Sequence, residues 1–278
     1  MENTNIREVF FGLEEYIKFK NNDQDQISFL RDFVRILDSD DIEQSIMEYC
    51  IKHLNENNNY KDNIFRSIVD FKKKVGNDTV MVDVMSRSQV KSKVWLIEEL
   101  LKISSSYDNV LIMAGWFGQL NALFDQRLDY NKIRIVELDK NACEVSDQIF
   151  NLHRLANYKV KSVCADINNL TLHKNGYEWN VVNFKEDSMY SEKFLPDLII
   201  NTSAEHMTEE WYNQIRFKEM SSNPIVAIQS NNLFDIPEHI NCVHSVDHMK
   251  KKFPMKEILF EGELQLKGYK RVMLIGRP

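Results

Sequence analysis

The sequence predicts an α/β protein in which a helical segment precedes a mostly parallel sheet of five buried strands and a closing antiparallel pair. Three observations predict this. The run Asn109-Val-Leu-Ile-Met-Ala-Gly-Trp-Phe-Gly-Gln119 starts on a polar residue, turns apolar and stops at Gly115 and Gly118. It reads as a short strand buried on both faces and ended by a glycine turn. Before it, apolar residues recur at helical spacing, and after it extended apolar runs alternate with helical ones. The last two extended runs have no comparable helix between them and are expected to pair antiparallel.

Composition sets the outer bounds. A chain of 278 residues exceeds the usual single-domain size, so two units are expected: a helical N-terminal domain over 1–85 and a sheet domain over 86–278. A hydrophobic fraction of 43% can fill a core, while 28% charged residues and a net charge of -7 describe a mildly acidic protein. Such a balance offers no extended basic field for long nucleic acids, although a local basic patch would suffice for a nucleic-acid substrate. Cys50, Cys143, Cys164 and Cys242 show no CxxC or Cys/His ligand spacing, and buried free thiols of a reducing compartment are expected. The opening Met-Glu-Asn-Thr-Asn lacks the features of a signal peptide, and no apolar run approaches about 20 residues. A cytoplasmic location follows as the expectation, with no membrane partner.

From Ile6 to about Lys74 four helices are expected. Val9, Phe10, Leu13, Tyr16 and Ile17 carry the first apolar face, and Ile27, Leu30, Phe33, Val34 and Leu37 the second. Ile42 to Leu54 and Ile64 to Phe71 carry the other two, with Asn- and Asp-rich loops between them. Their charged faces are either solvated surface or a surface for a substrate or protein partner. Val80 to Val84 suggests a short extended segment. Ser86 to Leu101 then makes a helix in which Val90, Val94, Ile97 and Leu101 share one face. Arg87, Gln89 and Lys93 gather near its start, as carboxylate or phosphate contacts or as solvent-facing side chains.

After the central strand, Gly118 to Arg127 is expected to start a helix. Lys132 to Asp139 reads as a second strand, with Glu137 placed 19 positions after Gly118. That is close to the spacing of about 20 at which an acid receives ribose hydroxyls in dinucleotide folds. A helix from Asn141 to about Leu155 and a third strand, Val160 to Asp166, follow. Asp166 is open to two readings, an acid beside an adenine amino group or a capping acid of the loop. Asn175 to Glu192 reads as polar and irregular. Leu195 to His206 contains a fourth strand that breaks into polar residues, with Thr208 as the expected cap of the next helix. A fifth strand, Pro224 to Ser230, ends in Gln229, Ser230, Asn231 and Asn232. Lys256 to Leu266 and Tyr269 to Gly276 form the terminal pair. Ligands of open parallel sheets bind beyond the carboxyl ends of the strands, so these polar endings should converge on one crevice.

With these elements in order, the chain from about Ser86 onward resembles the class I S-adenosylmethionine-dependent methyltransferases. The resemblance implies a Rossmann-like sheet of five parallel strands plus a C-terminal antiparallel hairpin, with S-adenosylmethionine as cofactor. It implies a cofactor turn at Ala114, Gly115, Trp116, Phe117 and Gly118, ribose hydroxyls on Glu137, and adenine between Leu138 and the pair Asp166 and Ile167. The family's catalytic or substrate-facing motif would fall on Asn201 to His206. The Gly-Trp-aromatic-Gly turn and the Asn-Thr-Ser-x-Glu-His segment look similar to phage-encoded methyltransferase-like proteins, which would mean a host cytoplasm. Two features depart from the family pattern: Met113 stands near its usual acid, and the turn lacks a third glycine. The Asn/Asp-Pro-Pro-aromatic sequence of amino-directed nucleic-acid methyltransferases is absent, since Thr202, Ser203 and Ala204 follow Asn201.

In such an enzyme Asn201 would orient an unidentified methyl acceptor, and Glu205 or His206 would remove its proton. Alternatively, Glu205 and His206 begin the next helix and compensate its dipole. His239, His244, His248 and Cys242 fit no common zinc spacing, so no metal is expected. Two other readings stay open. The helical segment before this fold also resembles nicotianamine synthase, which implies aminopropyl transfer. The bulky Trp116-Phe117 turn suits a degenerate methyltransferase fold used as a binding or structural assembly module.

Overall fold

The computed structural model describes residues 7–20, 22–36, 83–124, 127–147, 159–183, 188–217 and 220–278. In chain order its strands are β1 (Ser106–Met113), β2 (Asp129–Glu137), β3 (Val160–Cys164), β4 (Thr171–His173) and β5 (Gly176–Asn183). β6 (Ser188–Phe194), β7 (Leu198–Asn201), β8 (Ile225–Asn231), β9 (Glu257–Gln265) and β10 (Lys270–Arg277) follow. The helices are α1 (Arg7–Lys20), α2 (Gln24–Ile36), α3 (Arg87–Ile103), α4 (Gln119–Phe124), α5 (Lys140–Val145), α6 (Glu210–Phe217) and α7 (Val246–Lys252).

Seven strands form one sheet in the order β3-β2-β1-β7-β8-β10-β9. β1 pairs parallel with β2 and β7, β2 with β3, and β7 with β8, whereas β10 runs antiparallel to β8 and β9. This is the expected arrangement of five parallel strands and a reversed pair. The chain winds outward from β1 to β3, then returns to the other side of β1 for β7 and β8. The strand order therefore reverses between β1 and β7, where open α/β sheets bind ligands. Register sets the ends level: Met113 lies opposite both Val136 and Asn201.

Successive side chains along each strand point to opposite faces of the sheet. Val110 and Ile112 join Ile133, Ile135, Leu198 and Ile200 under α1 and α3. Leu111 and Met113 join Val136, Ile199, Val226 and Ile228 on the other face, with Trp211, Tyr212 and Phe253. Both faces are covered, which explains why these strands read as continuous apolar runs.

Ser86 caps α3 by accepting a hydrogen bond from the Gln89 N–H at 3.4 Å. Val9, Phe10, Leu13, Tyr16 and Ile17 of α1 are buried as their spacing predicts, in the same core as α3 and β1. Gly12 lies so near Met85 that a Cβ there would collide with the Met85 carbonyl oxygen. The third and fourth expected N-terminal helices, and Cys50, lie outside the described residues.

Several local expectations change. Asp83 to Met85 form a helical turn instead of extending, and Val80 to Val82 lie outside the described residues. Asn175 to Glu192 is not irregular: β4, β5 and β6 form a separate antiparallel sheet. Tyr177 faces Phe194 and Trp179 faces Glu192 in this sheet, and its exposed partner positions are polar enough to mask the alternation in sequence. Gly176, at φ 101°, makes the tight β4-β5 turn. Helix α6 starts at Glu210, two residues beyond Thr208. Cys143 and Cys242 are buried free thiols, but Cys164, which the sequence reading also buries, is exposed at the end of β3. Among the described residues no helix is long and apolar enough to cross a membrane.

Candidate active site

The turn after β1 is held in an unusual backbone conformation. Ala114, Trp116 and Gly118 all have positive φ, at 49°, 47° and 78°. A side chain in this region costs roughly 1–2 kcal/mol, so Ala114 and Trp116 occupy positions that glycine would take without strain. Gly115 is required for another reason: a Cβ there would collide with Ile135 Cγ2 on the neighbouring strand.

Glu137 at the end of β2 secures this turn. Its Oε2 accepts the Trp116 N–H at 2.8 Å and its Oε1 accepts the Asp139 N–H at 3.0 Å. Each carboxylate oxygen keeps a second lone pair for a ligand hydroxyl. Phe117 is buried, and the Trp116 ring leans on it at a centroid distance of 4.7 Å while remaining 38% exposed.

These residues open into a cavity of ≈ 710 Å³. Ala114, Gly115, Trp116, Phe117 and Glu137 line one side. Lys93, Glu205, His206, His239 and Arg271 stand among the residues of the opposite wall. Glu8 of α1 and Lys267 of the terminal hairpin also border it, 3.6 Å apart, so the N-terminal helix helps to cover the cavity.

The wall is a connected polar network. Glu205, 2% exposed, accepts hydrogen bonds at Oε1 from Asn231 Nδ2 at 2.7 Å and Arg271 Nη1 at 3.2 Å. Arg271 Nη1 also donates to the Thr202 carbonyl at 2.8 Å. Lys93 Nζ donates to Gln89 Oε1 at 2.9 Å. Burial, with the Arg271 charge adding and Glu205 opposing, pushes the Lys93 ammonium down to about 7, although part of the side chain still faces the cavity. Burial also holds His239 below the usual imidazole range, with Glu205 opposing and His206 and Arg271 reinforcing.

The residues singled out from sequence divide into two groups. Ala114 to Phe117 of the turn, Glu137, Glu205 and His206 meet around the cavity, as do Gln89 and Lys93, whereas Gly118 does not border it. Arg87 instead pairs with Glu15 at 2.9 Å and ties α3 to α1. Asn201 is fully buried and does not border the cavity: its Oδ1 accepts the Ser203 N–H at 2.9 Å and its Nδ2 approaches Met207 Sδ. Its carboxamide therefore holds the loop carrying Glu205 and His206 instead of reaching an acceptor.

Leu138, Asp166 and Ile167 stand outside the cavity lining, beyond Glu137 on the β2-β3 side. Leu138 is 71% exposed, Ile167 is buried, and Asp166 caps a short 3-10 helix by accepting the Asn168 N–H at 2.9 Å. Arg271, on the last strand, carries no local motif, and the sequence spacing of His239 to its neighbours gives no sign that it meets Glu205 and His206. A lone arginine opening the apolar run Val272 to Ile275 was the one available signal for the former.

Fold and site together define an α/β protein with a seven-stranded, mostly parallel sheet and a crevice at its topological switch point. Solved structures with a similar fold include the N-methyltransferase NodS from Bradyrhizobium japonicum, at 10% identity and a TM-score of 0.47 over 68% of this chain and 96% of that chain. Magnesium protoporphyrin IX methyltransferase from Synechocystis, with bound SAH, aligns at 9% identity and a TM-score of 0.47 over 66% of this chain and 80% of that chain. An S-adenosylmethionine-dependent methyltransferase from Clostridium acetobutylicum aligns at 12% identity and a TM-score of 0.45, over 66% and 89% of the two chains. No protein-family model matches the chain. No curated protein matches its sequence.

Proposed function

We propose that the protein is an S-adenosylmethionine-dependent methyltransferase acting on an unidentified acceptor. The observation that carries this reading is the pairing of a strained turn at Ala114 to Gly118 with the Glu137 carboxylate, both opening into one cavity with a polar opposite wall. Glu137 would receive the ribose hydroxyls, and the Trp116-Phe117 pair would flank the apolar parts of the cofactor. The exposed face of Leu138 would border the adenine on the β2-β3 side, with Asp166 and Ile167 shaping that edge. Phe117 is packed into the core and Trp116 leans on it, so the bulky turn lines the cavity without filling it. This favours a cradle over the scaffold reading.

The cofactor supplies an activated methyl carbon. The chain must present an acceptor in line with it and take up the acceptor's proton. Lys93, pushed down to about 7, is suited to accept that proton near neutral pH. Glu205 and His206 face the acceptor from the loop that Asn201 holds, and α1 limits which acceptors enter. A cytoplasmic setting and a protein partner at the N-terminal helices belong to the same proposal.

Calorimetric titration with S-adenosylmethionine and S-adenosylhomocysteine tests the cofactor assignment. Saturable binding of both that is lost with Glu137→Ala supports it, and no binding by the unaltered protein favours the scaffold. Product masses after incubation separate methyl from aminopropyl transfer.

A further inference from the structure

The wall opposite the glycine turn contains a grouping that cofactor binding does not use. A ring nitrogen of His206, a ring nitrogen of His239 and a carboxylate oxygen of Glu205 lie within 4.8 Å of one another. The two rings stand edge to face, with centroids 4.6 Å apart and planes at 82°.

Each of the three side chains is already oriented from behind. His206 Nδ1 lies 3.2 Å from the Glu238 carbonyl oxygen and His239 Nδ1 lies 3.1 Å from that of Leu233. A carbonyl oxygen only accepts hydrogen bonds, so Nδ1 of each ring carries the proton and Nε2 keeps the lone pair. This is the arrangement that fixes tautomer and ring direction in metal-ligating histidines. Glu205 repeats it with oxygen, since Asn231 and Arg271 hold Oε1 while Oε2 is buried with no hydrogen-bond partner. A buried acceptor left without a partner is unfavourable, and a ligand at Oε2 would supply one.

We infer that Glu205, His206 and His239 form a two-histidine, one-carboxylate site for a divalent first-row transition ion, with open coordination positions toward the cavity. Two imidazoles and one carboxylate suit zinc, iron(II) or cobalt, which bind such donors at about 2.0–2.2 Å. The three donors lie within 4.8 Å of one another and would close further around a shared ion, and both rings border the cavity. Arg271 and Lys93 stand close by and oppose a cation, so hard ions held mainly by charge, such as Mg²⁺ or Ca²⁺, are disfavoured. The spacing of His239, Cys242, His244 and His248 in sequence hides this site, because its other two ligands come from the loop after β7.

Open positions would accept an oxygen donor of the acceptor molecule, where a bound cation lowers the proton affinity of that oxygen. Ion binding itself does not depend on the cofactor assignment. The test is a titration of the full chain, stripped with a chelator, with Co²⁺ alone, followed by competition with Zn²⁺ and Mg²⁺. One Co²⁺ per chain with a visible ligand-field band is expected, displaced by Zn²⁺ and unaffected by Mg²⁺.

His206→Ala and His239→Ala should each weaken binding about 100-fold. His206 is exposed and His239 half-buried, so both variants should keep the fold, which far-ultraviolet circular dichroism checks. His244→Ala should bind the ion normally, since His244 stacks on Phe234 and His248 instead. No stoichiometric uptake by the unaltered protein overturns the inference. Unchanged affinity in both triad variants, or equal loss in His244→Ala, also overturns it. S-adenosylhomocysteine affinity, measured on the same metal-free protein, reports on the cofactor site separately.

Discussion

Glu137 Oε2 accepts the backbone N–H of Trp116 at 2.8 Å, so the acid at the end of one strand holds the turn at the end of its neighbour. The register that pairs Met113 with Val136 sets this contact, because it brings the residues after β1 level with the last residue of β2. One carboxylate thus positions the turn and presents free lone pairs to the cavity.

Removing that carboxylate should be costly for ligand binding and modest for folding. Glu137 is partly exposed and each of its bonds goes to a backbone N–H, worth about 1.5–3 kcal/mol when the acceptor is charged. Glu137→Ala should therefore weaken S-adenosylhomocysteine affinity by about 10-fold or more in calorimetry. An equal affinity would show that the ribose does not rest on this residue.

Gly118 gives a test of the turn's backbone. Its φ of 78° and its nearness to Ser146 Oγ leave no room for a Cβ. Gly118→Ala should destabilise the protein by about 1–2 kcal/mol or more in urea denaturation. Gly268→Ala also sits at positive φ but meets nothing nearby, so it should cost only the conformational part.

If Lys93 takes up the acceptor's proton as proposed, turnover should depend on pH. Its folded-state value of about 7 lies below the usual 10.5, so between these the folded protein has shed a proton that the unfolded chain keeps. This group's contribution to stability therefore grows as pH rises through that window. Turnover should climb roughly tenfold per pH unit below 7 and level off above it. Lys93→Met should give a low rate without that ascending limb, and a wild-type limb surviving the substitution would remove Lys93 as the base.

A buried ion pair joins the two sheets. Arg134 of β2 meets Glu192 of β6 at 2.6 Å, and Trp179 Nε1 donates to the same carboxylate at 3.0 Å. Burial acts to raise the Glu192 carboxyl, but the hydrogen bond and charge of Arg134, with Trp179, hold it below the usual range. Its stabilisation is thus present above the ordinary carboxylate range and is lost as pH falls through the folded-state value. Arg134→Met should cost about 3–5 kcal/mol by stranding Glu192, and Arg134→Met with Glu192→Met should recover much of it. Thermal melts of the three proteins check both.

The parallel sheet was legible because strands buried on both faces have no polar alternation to confuse them, as Val110 to Met113 and Leu198 to Ile200 illustrate. The β5-β6 hairpin was not, because Glu192 stands among the aromatics of its buried face, opposite Trp179, and Glu178 and Lys193 add charge on its other face. The half of the site contributed by Gly115, Gly118 and Glu137 follows from local spacing. The opposite wall does not: Lys93, Glu205, His239 and Arg271 come from four separate segments that only sheet order and helix packing bring together. The strand-end position of Asn201 likewise does not show that its side chain turns back onto Ser203.

The most direct test is a crystal structure of the protein grown with S-adenosylhomocysteine. Density for the nucleoside beside Trp116, with ribose hydroxyls in hydrogen-bond reach of Glu137, is the expected result. A cavity that stays empty at saturating ligand, or ligand bound away from the Ala114 to Gly118 turn, would contradict it.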